Sequence, residues 1–221
     1  MKCGPIFCIF NLKQTVKKED CMKVVAFNGS PRKNGNTSYL LKTVLKTMEN
    51  NGIETEFIQV GGKPLHGCMA CFKCAENQDR KCSITNDKLN EYLEKMIESD
   101  AILVGSPTYF SDMSSETKAL LDRSCFVALQ NGGLFRKKVG AAVAAQRRGG
   151  AVHVMDSMLK PFQMSEMFIP GSTYWNMGFG MNEGDAAEDE EGVKNMENLG
   201  RQMAYLLKAL DLGKKQGIEV Q

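Results

Sequence analysis

Short runs of β-branched and other apolar residues recur along this chain and alternate with longer stretches in which apolar residues repeat at helical spacing. This alternation is typical of a parallel sheet that is covered by helices on both faces. The pattern predicts five strands, at Lys23–Asn28, Glu54–Val60, Ala101–Gly105, Lys138–Ala145 and near Phe168–Pro170. The predicted fold class is therefore α/β, with a doubly wound five-stranded parallel sheet.

Three amphipathic helices are predicted between and after these strands. Their apolar positions are Leu40, Leu41, Val44, Leu45 and Met48 in the first, Leu89, Leu93, Met96 and Ile97 in the second, and Val193, Met196, Leu199, Met203, Leu206, Leu207 and Leu210 in the third. The third helix begins in the acidic run 183–191, where negative charge favours a helix N-terminus. We therefore predict one domain over residues 22–210, an N-terminal extension at 1–21 and a C-terminal tail at 211–221.

The composition agrees with one globular domain and excludes several classes of protein. Of the 221 residues, 43% are hydrophobic and 24% are charged, close to the averages for globular proteins. A net charge of +2 is too small for a surface that binds nucleic acid. The apolar run Cys3–Phe10 is too short to span a bilayer, and no clear cleavage site follows it. We expect a cytoplasmic protein with reduced thiols and no membrane association.

The loop after the first predicted strand is the first candidate binding site. In an open parallel sheet, ligands bind beyond the carboxyl ends of the strands. Residues 28–37 are rich in hydroxyl and amide groups and lead into a helix N-terminus, an arrangement that binds phosphate. Their spacing matches neither the triphosphate-binding P-loop nor the dinucleotide glycine fingerprint. The alternative is an ordinary polar loop in which Asn36 or Thr37 caps the helix.

Four cysteines after the second predicted strand form the pattern C-x2-C-x2-C-x7-C within a cysteine-rich loop at 61–86: Cys68, Cys71, Cys74 and Cys82. Thiols at this spacing can surround a compact iron–sulfur cluster. Structural zinc sites more often show two pairs with a longer spacer. Redox-active thiols, zinc-binding thiols and cysteines without a shared role remain the alternatives. Ordinary structural roles are expected for Cys3, Cys8, Cys21, Cys125, His66 and His153.

Two motifs, in the loops after the first and third predicted strands, resemble the NADPH-dependent FMN reductase family of flavodoxin-like proteins. They are Gly29-Ser30-Pro31-Arg32 with Gly35-Asn36-Thr37, and Ser106-Pro107-Thr108-Tyr109-Phe110 after the third strand. The resemblance implies that the FMN phosphate is bound by Ser30, Arg32, Asn36, Thr37 and Ser38. It also implies that the isoalloxazine ring is lined by Pro107, Thr108, Tyr109 and Phe110. After the fourth strand, paired glycines and positive charge favour a flavin contact from Arg147 or Gly149.

The cysteine pattern resembles the iron–sulfur flavoproteins, a branch of the same family in which a compact four-cysteine motif holds a [4Fe–4S] cluster beside FMN. The resemblance implies an electron-transfer flavoprotein whose cluster is bound by Cys68, Cys71, Cys74 and Cys82. It also implies ferredoxin as the kind of electron donor and a homodimer or homotetramer. Gly171–Asn176 is a candidate contact segment because Trp and Tyr favour interfaces, and core packing is the alternative. No catalytic acid or base is predicted, because the cofactors carry the chemistry.

Two other functions are compatible with the same flavin residues. The first is an NAD(P)H-dependent FMN, quinone or nitro-compound reductase without a cluster, in which the four cysteines can be replaced without loss of activity. The second is a non-catalytic sensor that binds FMN and is reduced by no donor. The cysteines therefore distinguish the functions, whereas the flavin loops do not.

Overall fold

The structure is a computed structural model that describes residues 21–218. The strands are β1 (Lys23–Asn28), β2 (Glu54–Gln59), β3 (Ala101–Pro107), β4 (Val139–Gln146) and β5 (Met177–Phe179). The helices are α1 (Asn36–Asn50), α2 (Lys73–Asn77), α3 (Leu89–Glu98), α4 (Ser115–Gln130), α5 (Ala151–Met164) and α6 (Glu190–Lys215). None of the helices described is long and apolar enough to cross a membrane.

The five strands are parallel and are arranged in the order β2-β1-β3-β4-β5. The chain therefore changes its direction across the sheet at β1, and the loops after β1 and β3 lie on either side of this switch point. Asn28 pairs with Gly105, and Gly105 pairs with Val143. This register brings the loops after β1, β3 and β4 to one edge of the sheet.

The sheet separates two apolar layers, because alternate residues of each strand point to opposite faces. Val24 and Ala26 of β1 pack in the layer that contains α1 and α6. Val25 and Phe27 pack in the layer that contains α3, α4 and α5. Strands that are buried on both faces appear in the sequence as continuous apolar runs, which explains why β1, β3 and β4 are easy to recognise.

The predicted five-stranded parallel sheet with helices on both faces is confirmed, but the predicted position of its fifth strand is wrong. Phe168 forms only an isolated bridge with Val139. Pairing stops there because Pro170 has no N–H group to donate. The chain then returns to the sheet as β5, which pairs with the last residues of β4.

Helix α4 was not predicted from the sequence, and α6 is longer than expected. The buried positions of α4 include three polar residues, Thr117, Arg123 and Ser124, which interrupt its apolar periodicity. Helix α6 runs to Lys215, beyond the boundary predicted at Leu210. Lysine residues in its last turn interact favourably with the helix dipole and support the additional length.

We expect Leu41→Ala to lower the free energy of unfolding by about 2–5 kcal/mol, because Leu41 is fully buried and its removal leaves a cavity. Leu41 packs against Gly105, which has no side chain to fill the space. Leu212→Ala is the matched control, since the Leu212 side chain is 56% exposed, and its effect should stay within about 0.5 kcal/mol. Urea unfolding followed by circular dichroism measures both variants. Equal losses would contradict the placement of Leu41 in the core.

Candidate functional site

The loop that follows β1 is held against the start of α4. The Gly29 N–H donates to the carbonyl of Gly105, and the Ser114 hydroxyl donates to the carbonyl of Gly29, both at 2.8 Å. A Cβ atom at Gly29 would lie 1.8 Å from Oγ1 of Thr117, so only glycine fits at this contact. Ser114 is also the N-cap of α4, because its hydroxyl accepts from the Thr117 N–H. The loop is therefore fixed by β3 and α4 together.

Helix α1 begins at the end of this loop without a side-chain cap. Its N-cap residue is Gly35, and no side chain accepts a hydrogen bond from the first turn at this position. The first turn also contains no acidic residue. The first N–H groups of a helix lack partners within the helix and carry partial positive charge, so this end is suited to bind an anion. The alternative in which Asn36 or Thr37 caps the helix is wrong.

The side chains of Arg32 and Asn36 attach the segment 181–187 to this loop. Arg32 Nη1 donates to the carbonyl of Met181, the first residue of this segment, at 3.1 Å. Asn36 Nδ2 donates to the carbonyl of Asn182 at 2.9 Å, and Asn36 Oδ1 accepts from the Ala186 N–H at 3.1 Å. Both ends of the Asn36 amide are thus engaged, so we expect Asn36 to reach a phosphate through its backbone N–H rather than its side chain.

Ser30, Thr37 and Ser38, the other residues predicted to bind phosphate, are buried. Among the described residues, the buried side-chain polar atoms without a hydrogen-bond partner are Ser38 Oγ, Tyr92 OH, Thr108 Oγ1, Ser165 Oγ and Asn176 Oδ1. Two of these five atoms, in Ser38 and Thr108, belong to residues predicted to contact FMN. An unsatisfied buried hydroxyl is unfavourable, and a ligand that accepts its hydrogen bond removes this penalty.

The loop after β3 exposes two aromatic side chains at the same edge of the sheet. Its first residues are anchored, because the Thr108 N–H donates to the carbonyl of Ala145 at 2.8 Å. Tyr109 is 46% exposed and Phe110 is fully exposed, with a φ angle of 49° at Phe110. A bulky residue in the left-handed region is strained, and such strain concentrates at ligand-binding loops. The two rings are therefore presented to a ligand rather than to the core.

The loop after β4 packs against the loop after β3. A Cβ atom at Gly150, where φ is 96°, would lie 2.8 Å from Oγ of Ser111. Only glycine is compatible with both the angle and the contact. Arg147 and Gly149 precede this contact and are exposed. The predicted flavin residues of the loops after β1, β3 and β4 are thus assembled along one edge.

A second candidate region lies beside α4, which is covered there by the cysteine-rich loop. Cys68, Cys71, Cys74 and Cys82 all line one cavity, together with apolar residues of the loop and of α4. Non-glycine residues with φ between 50° and 63° occur four times in this loop, at Ala70, Phe72, Gln78 and Arg80. Backbone strain of this kind is found at functional sites, where the surrounding structure maintains it. The four predicted ligands are therefore assembled around one space.

The four thiols differ in their surroundings. The Cys71 Sγ lies 3.3 Å from Oγ of Ser83, and hydrogen bonds from Ser83 and from the Lys73 N–H lower the pKa of Cys71. Burial raises the pKa of Cys74. Within residues 21–218, no three Cys, His, Asp or Glu side chains are placed to hold a single metal ion. The thiolates of a cluster bind different irons and therefore surround a larger volume than the ligands of one zinc ion do.

A buried ion pair between Arg123 of α4 and Asp87 closes the base of the cysteine-rich loop. Arg123 Nη1 lies 2.5 Å from Asp87 Oδ2, and the two side chains are 1% and 0% exposed. Arg123 also donates to the carbonyls of His66 and Ile84 at 3.1 and 3.3 Å. Burial opposes the charged form of Asp87, but hydrogen bonds from Arg123 and the His66 N–H outweigh it and lower the pKa of Asp87. Both ends of the loop are thereby attached to α4.

The same guanidinium reaches a predicted cluster ligand. Its Nε and Nη2 atoms donate to the Cys82 Sγ at 3.4 and 3.3 Å. Sequence reasoning missed Arg123, although one signal was available. Leu120 and Val127 are buried on the same face of α4, three residues before and four residues after Arg123. A charge on an apolar helix face requires a buried partner, but the sequence does not show that this partner is Asp87.

Helix α4 connects the two candidate regions. Thr117 in its first turn contacts Gly29 of the first loop, whereas Arg123 lines the cysteine cavity. Arg123 lies six positions after Thr117, which corresponds to about 9 Å along a helix axis. The two regions are therefore neighbours along one rigid element.

Known proteins match this chain over a range that includes both the predicted flavin loops and the cysteine-rich loop. A family model described as NADPH-dependent FMN reductase matches residues 22–182. An iron–sulfur flavoprotein of Methanocaldococcus jannaschii is 38% identical over 196 residues, which cover 86% of this chain and 99% of that protein. An iron–sulfur flavoprotein of Methanosarcina thermophila is 29% identical over 191 residues, which cover 86% of this chain and 97% of that protein. The matched range includes both the flavin loops and the cysteine-rich loop.

Solved structures share the fold at low sequence identity. A WrbA-like flavodoxin from Agrobacterium tumefaciens superposes with a TM-score of 0.60 at 13% identity, over 86% of this chain and 98% of that chain. A flavodoxin from the domain Archaea superposes with a TM-score of 0.55 at 16% identity, over 85% of this chain and 99% of that chain. The predicted flavodoxin-like fold class is confirmed.

Arg123→Met is expected to lower the free energy of unfolding by about 3–5 kcal/mol, because the carboxylate of Asp87 then stays buried without its partner. Arg136→Met is the matched control. It breaks a 2.8 Å pair with Glu166 in which both side chains are at least half exposed, and it should change stability by less than about 1 kcal/mol. Urea unfolding of both variants in the same buffer is the measurement. Similar losses would show that the Asp87–Arg123 pair is not buried in solution.

Proposed function

The chain belongs to the NADPH-dependent FMN reductase family and is an FMN-dependent oxidoreductase, and we propose that it passes electrons between FMN and a [4Fe–4S] cluster. The cluster ligands are Cys68, Cys71, Cys74 and Cys82. One observation carries the proposal: these four thiols line a single cavity beside the helix whose first turn holds the first flavin loop. The names of the iron–sulfur flavoproteins to which the chain is similar support the same assignment.

The FMN phosphate binds at the N-terminus of α1. The free N–H groups of its first turn and the hydroxyls of Ser30, Thr37 and Ser38 supply hydrogen-bond donors to one anion. Arg32 adds positive charge at the entrance, and no acidic residue of the first turn opposes the anion. The uncapped helix and the unpartnered Ser38 hydroxyl both support this placement.

The isoalloxazine ring lies over the loops after β3 and β4. Pro107, Thr108, Tyr109 and Phe110 line one side, where an aromatic side chain stacks on the ring and excludes water. Arg147 or Gly149 contacts the ring from the loop after β4, and a guanidinium there stabilises negative charge on the reduced ring. When bound, FMN supplies the exchange of one or two electrons. The protein contributes binding, orientation and charge, and no side-chain acid or base is required.

The exposed side of the cysteine-rich loop is where an electron donor approaches. Cys68 and Cys71 are exposed, so a cluster held there lies near the surface. Lys73, Arg80 and Lys81 are exposed on the same loop, and this positive charge favours an acidic one-electron carrier of the ferredoxin kind. The bound cluster supplies single-electron exchange.

We also propose that the chain forms a homodimer or homotetramer through the segment Gly171–Asn176. Tyr174 and Trp175 in this segment are 54% and 52% exposed, and their rings pack edge to face at a centroid distance of 4.6 Å. Exposed aromatic pairs are enriched in protein interfaces. A second copy of the chain covers these rings.

A second candidate function is an NAD(P)H-dependent reductase of FMN, quinones or nitro compounds that has no cluster. The description of the matching family favours it, and it uses the same flavin residues. The two functions differ in what the four cysteines do. Cofactor content therefore distinguishes them before any substrate is known.

Protein purified without oxygen is expected to contain one FMN and about four irons per chain. Cys71→Ser is expected to lose most of the iron and keep the FMN, because Cys71 lines the cysteine cavity and lies outside the three flavin loops. Cys21→Ser is the matched control, since Cys21 is exposed and does not line this cavity. Iron, acid-labile sulfide and FMN are measured per chain, with electron paramagnetic resonance after reduction. FMN without iron, even when cluster assembly is supported, would leave the NAD(P)H-dependent reductase as the better account.

Ser38→Ala is expected to weaken FMN binding tenfold or more, and Thr108→Val by a smaller factor because Thr108 faces the uncharged ring; each hydroxyl is buried and has no partner within the protein. A hydrogen bond to a charged group contributes about 1.5–3 kcal/mol, and tenfold in affinity corresponds to about 1.4 kcal/mol. Ser165→Ala is the matched control, because its hydroxyl is also buried but lies outside the flavin loops. Quenching of flavin fluorescence gives the dissociation constants. If both site variants bind FMN with wild-type affinity, the Ser38 and Thr108 hydroxyls do not contact FMN.

A further inference from the structure

We propose that Arg123 positions Cys82 and raises the reduction potential of the cluster through two N–H···S hydrogen bonds. The inference rests on the proposed function, because it requires a cluster held by the four cysteines. Arg123 is a positioning residue in this role: it acts on the cluster through the sulfur of Cys82.

The orientation of the guanidinium leaves little freedom. Nη1 is engaged by Asp87 at 2.5 Å, and the carbonyls of His66 and Ile84 accept further hydrogen bonds. The Nε and Nη2 atoms then face one sulfur atom, at 3.4 and 3.3 Å. Arg123 is only 1% exposed, so water does not compete for these donors. The planar fork of arginine is suited to a two-point contact of this kind, whereas lysine is a single point of charge.

The donors favour the reduced form of the cluster. During reduction, one electron enters from the donor, no bond forms or breaks, and the Cys82 thiolate remains bound to its iron. The additional negative charge is shared with the cluster sulfurs, so N–H donors to Cys82 stabilise the reduced state more than the oxidised state. A larger stabilisation of the reduced state means a higher reduction potential.

The contact is specific to the fourth cysteine of the motif. Cys71 pairs with the neutral hydroxyl of Ser83, whereas Cys82 accepts from a guanidinium. Seven residues separate Cys82 from Cys74, so the triplet spacing does not fix its position. Asn90 also holds Cys82, since its side chain bonds both the N–H and the carbonyl of Cys82. Arg123 and Asn90 together fix the position of Cys82 at the cavity that all four cysteines line.

Two variants test the hydrogen bonds without changing the net charge of the site. Arg123→Lys keeps the positive charge but loses the fork. The double variant Arg123→Met/Asp87→Asn removes the donors and the ion pair together, which avoids leaving a buried carboxylate unpaired. Arg136→Lys is the matched control at an exposed arginine. The measurements on the anaerobic holoprotein are the iron content and the midpoint potentials of cluster and FMN, from a titration followed by electron paramagnetic resonance and visible absorbance.

We expect both variants to lower the cluster potential. At a fixed ambient potential, the ratio of reduced to oxidised cluster should fall at least tenfold in the double variant, which is about 59 mV for one electron, and by less in Arg123→Lys. The FMN potential and the Arg136→Lys variant should match wild type. If the double variant loses iron, Arg123→Lys decides the question.

Two outcomes would overturn the inference. A wild-type cluster potential in the double variant, or in Arg123→Lys when the double variant holds no iron, would show that these hydrogen bonds do not set the potential, while the proposed function would stand. A wild-type protein that binds FMN and no iron would overturn both proposals together.

Discussion

In a parallel sheet that is buried on both faces, functional side chains lie in the loops beyond the carboxyl ends of the strands. In β3 and β4 almost every residue is buried, and the two apolar layers on either side have no room for a polar ligand. The strand order then selects which loops can cooperate, because the change of direction at β1 brings the loops after β1, β3 and β4 together. The position of the flavin edge is thus a consequence of how the sheet is covered.

This constraint also explains how much could be predicted from the sequence. The strands β1, β3 and β4 were recognisable because burial on both faces produces apolar runs, and the loops predicted to bind flavin are the polar segments that follow these runs. Strand β5 was placed too early, since its three residues carry little signal compared with the run that Pro170 interrupts. Helix α4 was missed because buried polar residues interrupt its apolar periodicity. Its Arg123 was missed because the partner, Asp87, lies 36 positions away, and spacing within one element does not reveal such a partner.

The cysteine-rich loop is stabilised in another way. Most of its residues are exposed, so apolar burial contributes little to its shape. A buried ion pair and the hydrogen bonds around it hold the two ends of the loop against α4 instead. A buried pair adds less stability than well-packed apolar residues of similar size, but its directional bonds fix the two ends of the loop and the Cys82 sulfur. The ion pair therefore contributes more to the defined geometry of the loop than to its stability.

The contacts of Asn36 have a consequence for how the protein is made. Its side chain bonds to Asn182 and Ala186, residues 146 and 150 positions later in the chain. Contacts that are so distant in sequence form late in folding, because the intervening chain must first be ordered. The ribosome also delivers these partners only after most of the chain has been synthesised, from the N-terminus onward. A nascent chain therefore lacks the contacts that attach the loop after β1 to residues 181–187 until those residues have been synthesised.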